Sequence, residues 1–401
     1  MNFTIFGAGY VGLSMATMLA RTNHVVIFDN NIDKIDKINR RMPPFVDKDI
    51  STYFQDDLFL NATYDKDKAI SFSDNIIIAL PTNYNQQTAQ LDVSTIITYL
   101  AYIYQSNPGC NVIIKSTLPI GFTQRIQYEY PSMRIIYNPE FLREGYALYD
   151  NLYPSRIIVG ISEANECVNT FANNYIEVIK KAAIKKNIPS LIMNSTAAEA
   201  TKLFSNAYLA LRISFFNEID SFAEFNNLQT GEIIKGICLD PRINDYYNNP
   251  SFGFGGYCLP KDVMELQGCL NMLDSGVINS IIKSNKIRKE FIANRVCELL
   301  KEKNNNKPIL GIYRLIMKTG SDNFRNSSII DILSIVKSKL PSLEIIIYEP
   351  YLTQDEFMNC TIINDISIFK TKSTIIITNR YDDNLEDVFD KIYTRDCFFR
   401  D

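Results

Sequence analysis

The feature that most constrains the fold is a glycine-rich turn between an apolar strand and a helix. The apolar run Phe3–Phe6 leads into Gly7-Ala8-Gly9-Tyr10-Val11-Gly12, and a helical pattern follows at once. A turn of this kind lets the backbone approach a pyrophosphate, and the helix N-terminus supplies free N–H groups. The motif alone could also be a packing turn. In its strand–turn–helix context it predicts a dinucleotide site formed by Gly7, Gly9, Tyr10, Val11 and Gly12.

A carboxylate at the end of the second apolar run indicates which dinucleotide binds. Asp29 follows Val25–Phe28 and lies seventeen residues after Gly12. A carboxylate in this place accepts hydrogen bonds from the ribose hydroxyls and repels a 2′-phosphate. We therefore expect NAD rather than NADP. His24, in the turn before this run, is interpreted as structural.

The first half of the chain alternates short apolar runs with helical patterns. An amphipathic stretch at Val93–Gln105, which Asp92 could cap, is one example of the helical segments. Alternation of this kind predicts a parallel, doubly wound sheet. The later apolar runs are Ile76–Leu80, Val112–Ile114, Ile135–Tyr137, Ile157–Val159 and Leu191–Met193.

A long helical pattern occupies the middle of the chain, after which the alternation resumes. The pattern runs from Ser195 to about Asn226, and a second helical region covers Ser275–Lys303. We predict an α/β protein with two Rossmann-like, doubly wound domains joined by a long central helix, divided at 1–195, 196–303 and 304–401. The predicted stripe of the central helix is Leu203, Ala207, Ala210 and Ser214, and the last domain is predicted from strand Ile309–Tyr313, helix Ser328–Leu340, strand Glu344–Tyr348 and strand Thr374–Thr378.

Composition excludes several classes of function. A single histidine rules out paired-His zinc sites and catalytic triads with a late histidine. The eight cysteines include no C-x-x-C pair, which argues against a thiolate metal site. A net charge of −4 argues against nucleic acid as the main partner. The N-terminal apolar run lacks the preceding basic residues of a signal peptide, and no later stretch is long enough to span a membrane. We expect a cytoplasmic protein without a metal.

The most unusual segment surrounds one cysteine. Three glycines precede Cys258 in Gly253-Phe254-Gly255-Gly256-Tyr257-Cys258, and Lys261 and Asp262 follow it. The glycines predict a bendable loop that presses its backbone against a ligand, and the neighbouring cation favours the reactive thiolate. Cys258 is a candidate nucleophile, although the context alone is equally compatible with an inert thiol. The other seven cysteines lie in apolar helical or strand-like contexts.

Polar residues at the predicted strand ends are further candidates. Thr82 and Thr117 each follow a strand, although Thr117 is equally placed to be a capping hydroxyl before Pro119. Lys202 and Asn206 share a helix face and could clamp an oxyanion, or both could simply be solvated. Glu140 and Glu144 bracket Phe141 and Leu142, where a capping role is the alternative to a catalytic one.

Together these segments resemble the UDP-glucose/GDP-mannose dehydrogenase family, and within it the UDP-glucose 6-dehydrogenases. The resemblance covers nearly the whole chain, and its most specific part is Gly253–Asp262. It also rests on Gly7–Gly12 with Asp29, on Asn138–Glu144, on Tyr149–Arg156, on Lys202 with Asn206, and on Lys318 followed by Ser321–Arg325.

The resemblance implies two successive oxidations of one carbon, the C6 of UDP-glucose, by two NAD molecules. The first would give an aldehyde, which Cys258 would capture as a thiohemiacetal. The second would leave a thioester, and water would release UDP-glucuronate. Capture of this kind holds a reactive aldehyde between the two oxidations.

The resemblance also implies roles for individual residues, in a site between the domains of a homodimer formed through the central helix. Lys202 and Asn206 would stabilise oxyanions, while Asp262 with a water, or Lys202 itself, would take the first proton. Thr117, Glu140 and Glu144 would arrange water for hydrolysis. The implied cofactor contacts, beyond the glycine turn and Asp29, are Lys34, Thr82, Thr117, Glu144, Tyr257, Lys261 and Arg325. The implied substrate contacts are Glu140, Phe141, Leu142, Arg143, Glu144, Lys202, Asn206, Tyr247, Asn248, Asn249, Pro250, Ser251, Gly255 and Lys318.

Two departures from the family pattern are visible. Arg314 begins a segment where many members carry Gly-Leu-Ala-Phe-Lys, and Asn83 replaces the proline of Pro-Thr-Pro. Both favour UDP-glucose among the sugars of this family. The remaining alternatives are the same chemistry on GDP-mannose or a UDP-N-acetyl hexosamine, a redox-inert protein that binds NAD and a nucleotide sugar, and a single-step hydroxyacid dehydrogenase, which has no use for Cys258.

Overall fold

The computed structural model describes residues 1–163, 165–270, 273, 276–303, 307–315, 327–352 and 354–400. The chain divides into two compact units, residues 1–205 and 206–401. The division into three domains at 195 and 303 stays a prediction. Within the described ranges, no helix combines the length and the apolar character needed to cross a bilayer.

The first unit contains a large sheet with helices on both sides. The strands of this unit are β1 (Asn2–Phe6), β2 (His24–Phe28), β3 (Leu60–Thr63), β4 (Asn75–Ile78), β5 (Tyr84–Asn85), β6 (Gln90–Leu91), β7 (Asn111–Ile114), β8 (Arg134–Tyr137), β9 (Ile157–Ile161) and β10 (Ser190–Asn194). Strands β5 and β6 pair only with each other, and the other eight form the large sheet. Its helices are α1 (Tyr10–Ala20), α2 (Ile32–Asn39), α3 (Lys48–Tyr53), α4 (Lys66–Phe72), α5 (Ser94–Ser106), α6 (Phe122–Glu129), α7 (Ala147–Leu152), α8 (Glu166–Ala182) and the start of α9 (Ser195–Phe225).

The order of strands in this sheet is β10-β9-β8-β7-β4-β1-β2-β3. Every neighbouring pair is parallel except β8 with β9. The chain turns from one half of the sheet to the other beside β1, so the loop after β1 lies at the topological switch point, where α/β folds bind ligands. The predicted doubly wound sheet is confirmed, with one antiparallel pair that the sequence pattern did not indicate.

Alternating side chains of the strands fill two separate cores. Phe3 and Ile5 of β1 join one apolar cluster with helix α1, whereas Phe6 joins the other with helix α5. Both faces of a strand are therefore buried, which explains the continuous runs of isoleucine and valine in the sequence. The predicted helix at Val93–Gln105 is observed as α5, and the Asp92 carboxylate accepts a hydrogen bond from Ser94 N at 3.0 Å.

The second unit consists of helices followed by a smaller sheet. Its helices, after the end of α9, are α10 (Thr230–Cys238), α11 (Cys258–Leu270), α12 (Gly276–Glu302), α13 (Ser328–Lys339) and α14 (Ile366–Lys372), with a 3₁₀ segment at Asp383–Lys391. Its strands are β11 (Ile309–Tyr313), β12 (Glu344–Tyr348), β13 (Glu356–Phe357), β14 (Cys360–Ile362), β15 (Ile375–Ile377) and β16 (Ile392–Tyr393). The order is β13-β14-β12-β11-β15-β16, and β13–β14 is the antiparallel pair.

A buried acid on the central helix α9 ties the second unit together. Asp220 is fully buried and forms ion pairs with Arg288 of α12 and with Arg395, which follows β16. Burial opposes ionisation of this carboxyl, but the two guanidinium groups keep its pKa below the usual value. The ion pairs therefore stabilise the fold above the ordinary aspartate pKa, and this contribution is lost as acid protonates Asp220.

Candidate functional site

The glycine turn after β1 has the geometry of a nucleotide-binding loop. Gly7 adopts φ +104°, and a Cβ there would lie 2.4 Å from Ala79 O. A Cβ at Gly12 would lie 1.8 Å from Gly7 O, so helix α1 packs on the turn only with glycine. No atom of the described residues lies within 4 Å of a Cβ built on Gly9. Packing thus explains Gly7 and Gly12, whereas the space beside Gly9 suits a ligand that approaches the backbone.

Asp29 connects the end of β2 to this turn. Its Oδ2 accepts a hydrogen bond from Ala8 N at 2.8 Å, and its Oδ1 accepts one from Asn31 N at 2.9 Å. The carboxylate is only partly buried and lies beside the N-terminus of α1. This placement suits the ribose contact predicted for Asp29. Lys34 lies in the first turn of α2, where its backbone N–H is capped by Asn31.

A buried ion pair lies at the carboxyl ends of the strands in the first unit. Lys202 Nζ of α9 donates to Glu140 Oε1 at 2.8 Å and to Glu140 O at 2.7 Å, and Leu142 N donates to Glu140 Oε2 at 2.7 Å. Burial opposes the charge on Glu140, but Lys202 and the Leu142 N–H hold the pKa of this carboxyl below its usual value. The alternative of a solvated Lys202 is therefore wrong.

Lys115 is a buried cation that the sequence analysis missed. It directly follows β7, and its Nζ donates to Asn138 Oδ1 at 2.8 Å. Burial lowers the pKa of Lys115 to about 8, with Glu140 raising it and Lys202 lowering it further. One feature of the sequence could have indicated this burial. Lys115 directly continues the apolar run Val112–Ile114, with no turn residue between them.

Cys258 is the first residue of helix α11 and does not lie in the predicted flexible loop. Pro260 is compatible with this helix because proline is tolerated in a first turn. The N–H groups and partial positive charge at a helix N-terminus favour a thiolate. Residues 258, 261 and 262 are three and four positions apart, so their side chains share one face of α11.

Asp262 lies between an ammonium and an amide. Lys261 Nζ donates to Asp262 Oδ1 at 2.7 Å, and Asn206 Nδ2 donates to Asp262 Oδ2. Burial opposes the charge on Lys261, but the Asp262 carboxylate and Cys258 raise its pKa. All three residues are buried, so a solvated Asn206 is also excluded. Lys261 therefore lies near enough to Cys258 to interact with it electrostatically, and Asp262 connects this ammonium to the Asn206 amide.

The loop that the resemblance assigns to the substrate is held by the end of the chain. Asn249 Nδ2 donates to Asp396 Oδ1 at 2.7 Å, and Asn249 Oδ1 accepts from Cys397 N at 3.0 Å. Asn248 Oδ1 accepts from Arg400 Nη2 at 3.0 Å. These two amides therefore fix the loop in the second unit. Ser251 N donates to Asn217 Oδ1 at 2.8 Å, Pro250 is buried, and Tyr247 is exposed at φ +47°.

The other predicted site residues have simpler surroundings. Thr82 and Thr117 are buried after β4 and β7, and Arg143 forms an exposed ion pair with Asp150 at 2.7 Å. Lys318 and Arg325 lie outside the described residues, so their predicted contacts stay predictions. The half-buried members of the predicted set are Tyr10, Val11, Phe141, Leu142, Glu144, Gly255 and Tyr257.

Arg314 has the backbone conformation of the glycine that it replaces. Its φ is +64°, in the left-handed region that glycine adopts more readily than other residues. The Arg314 Nε lies 3.8 Å from Glu349 Oε1, and its guanidinium lies 5.2 Å from the centre of the Tyr351 ring.

The fold and these residues define a dinucleotide-binding oxidoreductase with a cysteine among its polar groups. Residues 1–179 match the NAD-binding domain of the UDP-glucose/GDP-mannose dehydrogenase family, and residues 196–287 match its central domain. The UDP-glucose 6-dehydrogenases of Campylobacter jejuni and Streptococcus pneumoniae are 44% and 42% identical to this chain, over the full length of both sequences in each case. The chain belongs to the UDP-glucose/GDP-mannose dehydrogenase family. The prediction of NAD as cofactor is confirmed.

Solved structures agree on the fold. A UDP-glucose dehydrogenase from Pyrobaculum islandicum has a TM-score of 0.85 at 23% identity, and covers 98% of this chain and 94% of its own. A UDP-D-ManNAc dehydrogenase from Pyrococcus horikoshii has a TM-score of 0.83 at 22% identity, with the same coverage. Similarity at this level of identity shows the α/β fold with its two Rossmann-like domains.

The space beside Gly9 leads to a prediction about NAD. In Gly9→Ala the new methyl group meets no protein atom, so the melting temperature should not change. The same methyl occupies the path of the pyrophosphate, and the dissociation constant for NAD should rise by about tenfold or more. Gly109→Ala, whose Cβ also has nothing within 4 Å, is the matched control and should change neither quantity. Unaltered NAD binding by Gly9→Ala, measured by calorimetric titration, would remove the turn from the cofactor site.

Proposed function

We propose that this protein is an NAD-dependent UDP-glucose 6-dehydrogenase, which oxidises the C6 alcohol of UDP-glucose to the carboxylate of UDP-glucuronate. The observation that carries the proposal is Cys258 at the start of α11, followed by the buried Lys261–Asp262 pair, in a chain with full-length relatives of that activity. A hydroxyacid dehydrogenase of one step has no need for such a cysteine. A redox-inert binding protein has no need for a buried ammonium beside it.

The glycine turn and Asp29 would hold NAD, which would supply the hydride acceptor for each of the two oxidations of C6. In the first oxidation the C6 hydroxyl proton would pass through a water to Asp262. After the first oxidation the Cys258 thiolate adds to the aldehyde carbon, and the carbonyl oxygen takes a proton to give the thiohemiacetal. Loss of a hydride and of the hydroxyl proton leaves a thioester. Water then adds to the thioester carbon and gives up a proton, the C–S bond breaks to regenerate the Cys258 thiolate, and the new carboxyl group loses the second proton as the carboxylate product leaves.

The predicted catalytic residues have distinct roles in this scheme. The Asn206 amide and the Lys202 ammonium donate hydrogen bonds to the oxygen that becomes negative, and removal of one such donor typically costs about 10²–10³ in rate. Asp262 orients Asn206 and Lys261 through its two oxygens. Glu140, held ionised beside Lys202, accepts a proton from the hydrolytic water, while Thr117 and Glu144 orient that water. Asn248 and Asn249 support the loop on which Tyr247, Pro250, Ser251 and Gly255 meet the nucleotide.

The stoichiometry of NADH tests this proposal. Purified protein with limiting UDP-glucose and excess NAD should form two NADH for each sugar consumed, with UDP-glucuronate as the product. Cys258→Ser should lose turnover and still bind NAD, because the glycine turn is unchanged. Cys269→Ser is the matched control and should retain turnover. One NADH for each sugar, or full activity in Cys258→Ser, would refute the thioester route. Turnover of GDP-mannose or a UDP-N-acetyl hexosamine in place of UDP-glucose would reassign the substrate.

We also propose that two copies of the chain associate through helix α9. Phe204, Tyr208, Leu211 and Phe215 follow a spacing of four, three and four residues, which places them on one face of the helix. Their exposed fractions are 47%, 56%, 37% and 52%. Such a contiguous apolar face typically marks a protein interface. The scattered cysteines, which include no C-x-x-C pair, and the dehydrogenase activity named for the relatives favour the cytoplasm as its location.

A charge on this face should disrupt the dimer. Phe215→Arg places a guanidinium in the apolar contact, and sedimentation velocity should show a shift from dimer toward monomer. Phe389→Arg replaces another exposed phenylalanine, in the 3₁₀ segment of the second unit, and should leave the dimer intact. A dimer of unchanged stability in Phe215→Arg would place the interface elsewhere.

A further inference from the structure

Lys115 has no part in the scheme above, yet it is buried next to residues that do. Its exposed fraction is 4%, and its Nζ lies 2.8 Å from Asn138 Oδ1 and 3.5 Å from Asn138 O. Asn138 and Glu140 belong to the same turn after β8. Lys115 therefore contacts the segment from which Glu140 projects toward Lys202.

The fold does not depend on this lysine for hydrogen bonding. Asn138 Oδ1 also accepts a hydrogen bond from Tyr175 OH at 2.8 Å, and Asn138 Nδ2 donates to Ile158 O at 2.8 Å. If Lys115 were replaced by an apolar residue of similar length, the Asn138 amide would keep both of these partners. The side-chain hydrogen bonds that join Asn138 to β9 and α8 would remain.

The charge on Lys115 opposes folding. Among the described residues it forms no salt bridge, and its partners are a neutral amide and a carbonyl group. The charged groups that face it are Glu140 and Lys202, and burial lowers its pKa from 10.5 to about 8. The unfolded chain thus binds more protons than the folded one between these two values. The resulting cost in stability is fully present below pH 8 and declines as the pH rises toward 10.5.

We propose that Lys115 is a positioning residue that acts through Glu140. Its ammonium adds to that of Lys202 in stabilising the Glu140 carboxylate, and its contact with Asn138 holds this charge beside the segment that presents the carboxylate to the hydrolytic water. The inference rests on the proposed function, because it assigns Glu140 to the hydrolysis of the thioester. A buried charge that lowers the stability of the fold and stabilises a reacting carboxylate is explained by a requirement of the reaction.

Replacement of Lys115 tests the inference because the melting temperature should stay the same or rise while kcat should fall. In Lys115→Met the melting temperature at pH 7 should equal or exceed that of the unaltered protein, while kcat should fall by about tenfold, a common effect of removing a supporting group. The kcat of the unaltered protein divided by that of the variant should then decline toward one as the pH rises from about 7 to 9. Over this range Lys115 of the unaltered protein loses its proton, and with it the charge that the variant lacks at every pH. Lys115→Gln keeps a hydrogen-bond donor without the charge and should behave like Lys115→Met.

Tyr175→Phe is the matched control, because it removes the other hydrogen bond to Asn138 Oδ1 without altering the charge. Its effect on kcat should not depend on pH. A lower melting temperature in both Lys115 variants, a kcat ratio independent of pH, or an equal pH effect in Tyr175→Phe would overturn the inference. The melting temperatures need no turnover, and the NADH stoichiometry of the unaltered protein tests the proposed function separately.

Discussion

The structure depends on one constraint, which is that helix α9 carries two buried polar side chains a single turn apart. Lys202 meets Glu140 in the first unit, and Asn206 meets Asp262 in the second. A buried charge without a partner would cost several kcal/mol, so each carboxylate is required where it lies. The unbroken helix from Ser195 to Phe225 fixes the spacing of the two donors, and no glycine or proline interrupts it.

The buried charges divide into those that the fold needs and those that it tolerates. Asp220, between Arg288 and Arg395, joins α9 to α12 and to the end of the chain, and its ion pairs stabilise the second unit. Lys115 forms no comparable ion pair with any residue that the structure describes, and it is less easily protonated than a solvated lysine. A buried charge that opposes folding is best explained by the reaction, and Lys115 contacts Asn138, two residues before Glu140.

Local patterns in the sequence were sufficient for most of the fold. The strands Ile309–Tyr313 and Glu344–Tyr348 were predicted with their observed bounds, because runs of isoleucine between polar residues indicate buried parallel strands. Strand β3 was missed, since Leu60-Asn61-Ala62-Thr63 lies at the sheet edge and carries little β propensity. Cys258 was predicted in a loop because three glycines precede it, and the structure places it at the first residue of α11, with Pro260 in the first turn. A proline in a first helical turn does not end a helix.

Contacts between distant parts of the chain were beyond the reach of the sequence. Asn249 pairs with Asp396, 147 residues away, and only the folded second unit brings these two side chains together. The burial of Lys115 likewise depends on β8 and α8, so the lysine resembled a strand-end residue at a surface. The glycine turn and Asp29 were predictable because the backbone geometry that binds a pyrophosphate requires glycine at fixed positions.

The covalent role of Cys258 can be measured by mass spectrometry in Glu140→Gln, a variant in which hydrolysis of the thioester should be slow. After incubation with UDP-glucose and NAD and an acid quench, the peptide that contains Cys258 should carry the oxidised UDP-sugar, and the same peptide from the Cys258→Ser, Glu140→Gln protein should not. The absence of an adduct during turnover, or an adduct on another cysteine, would contradict the account.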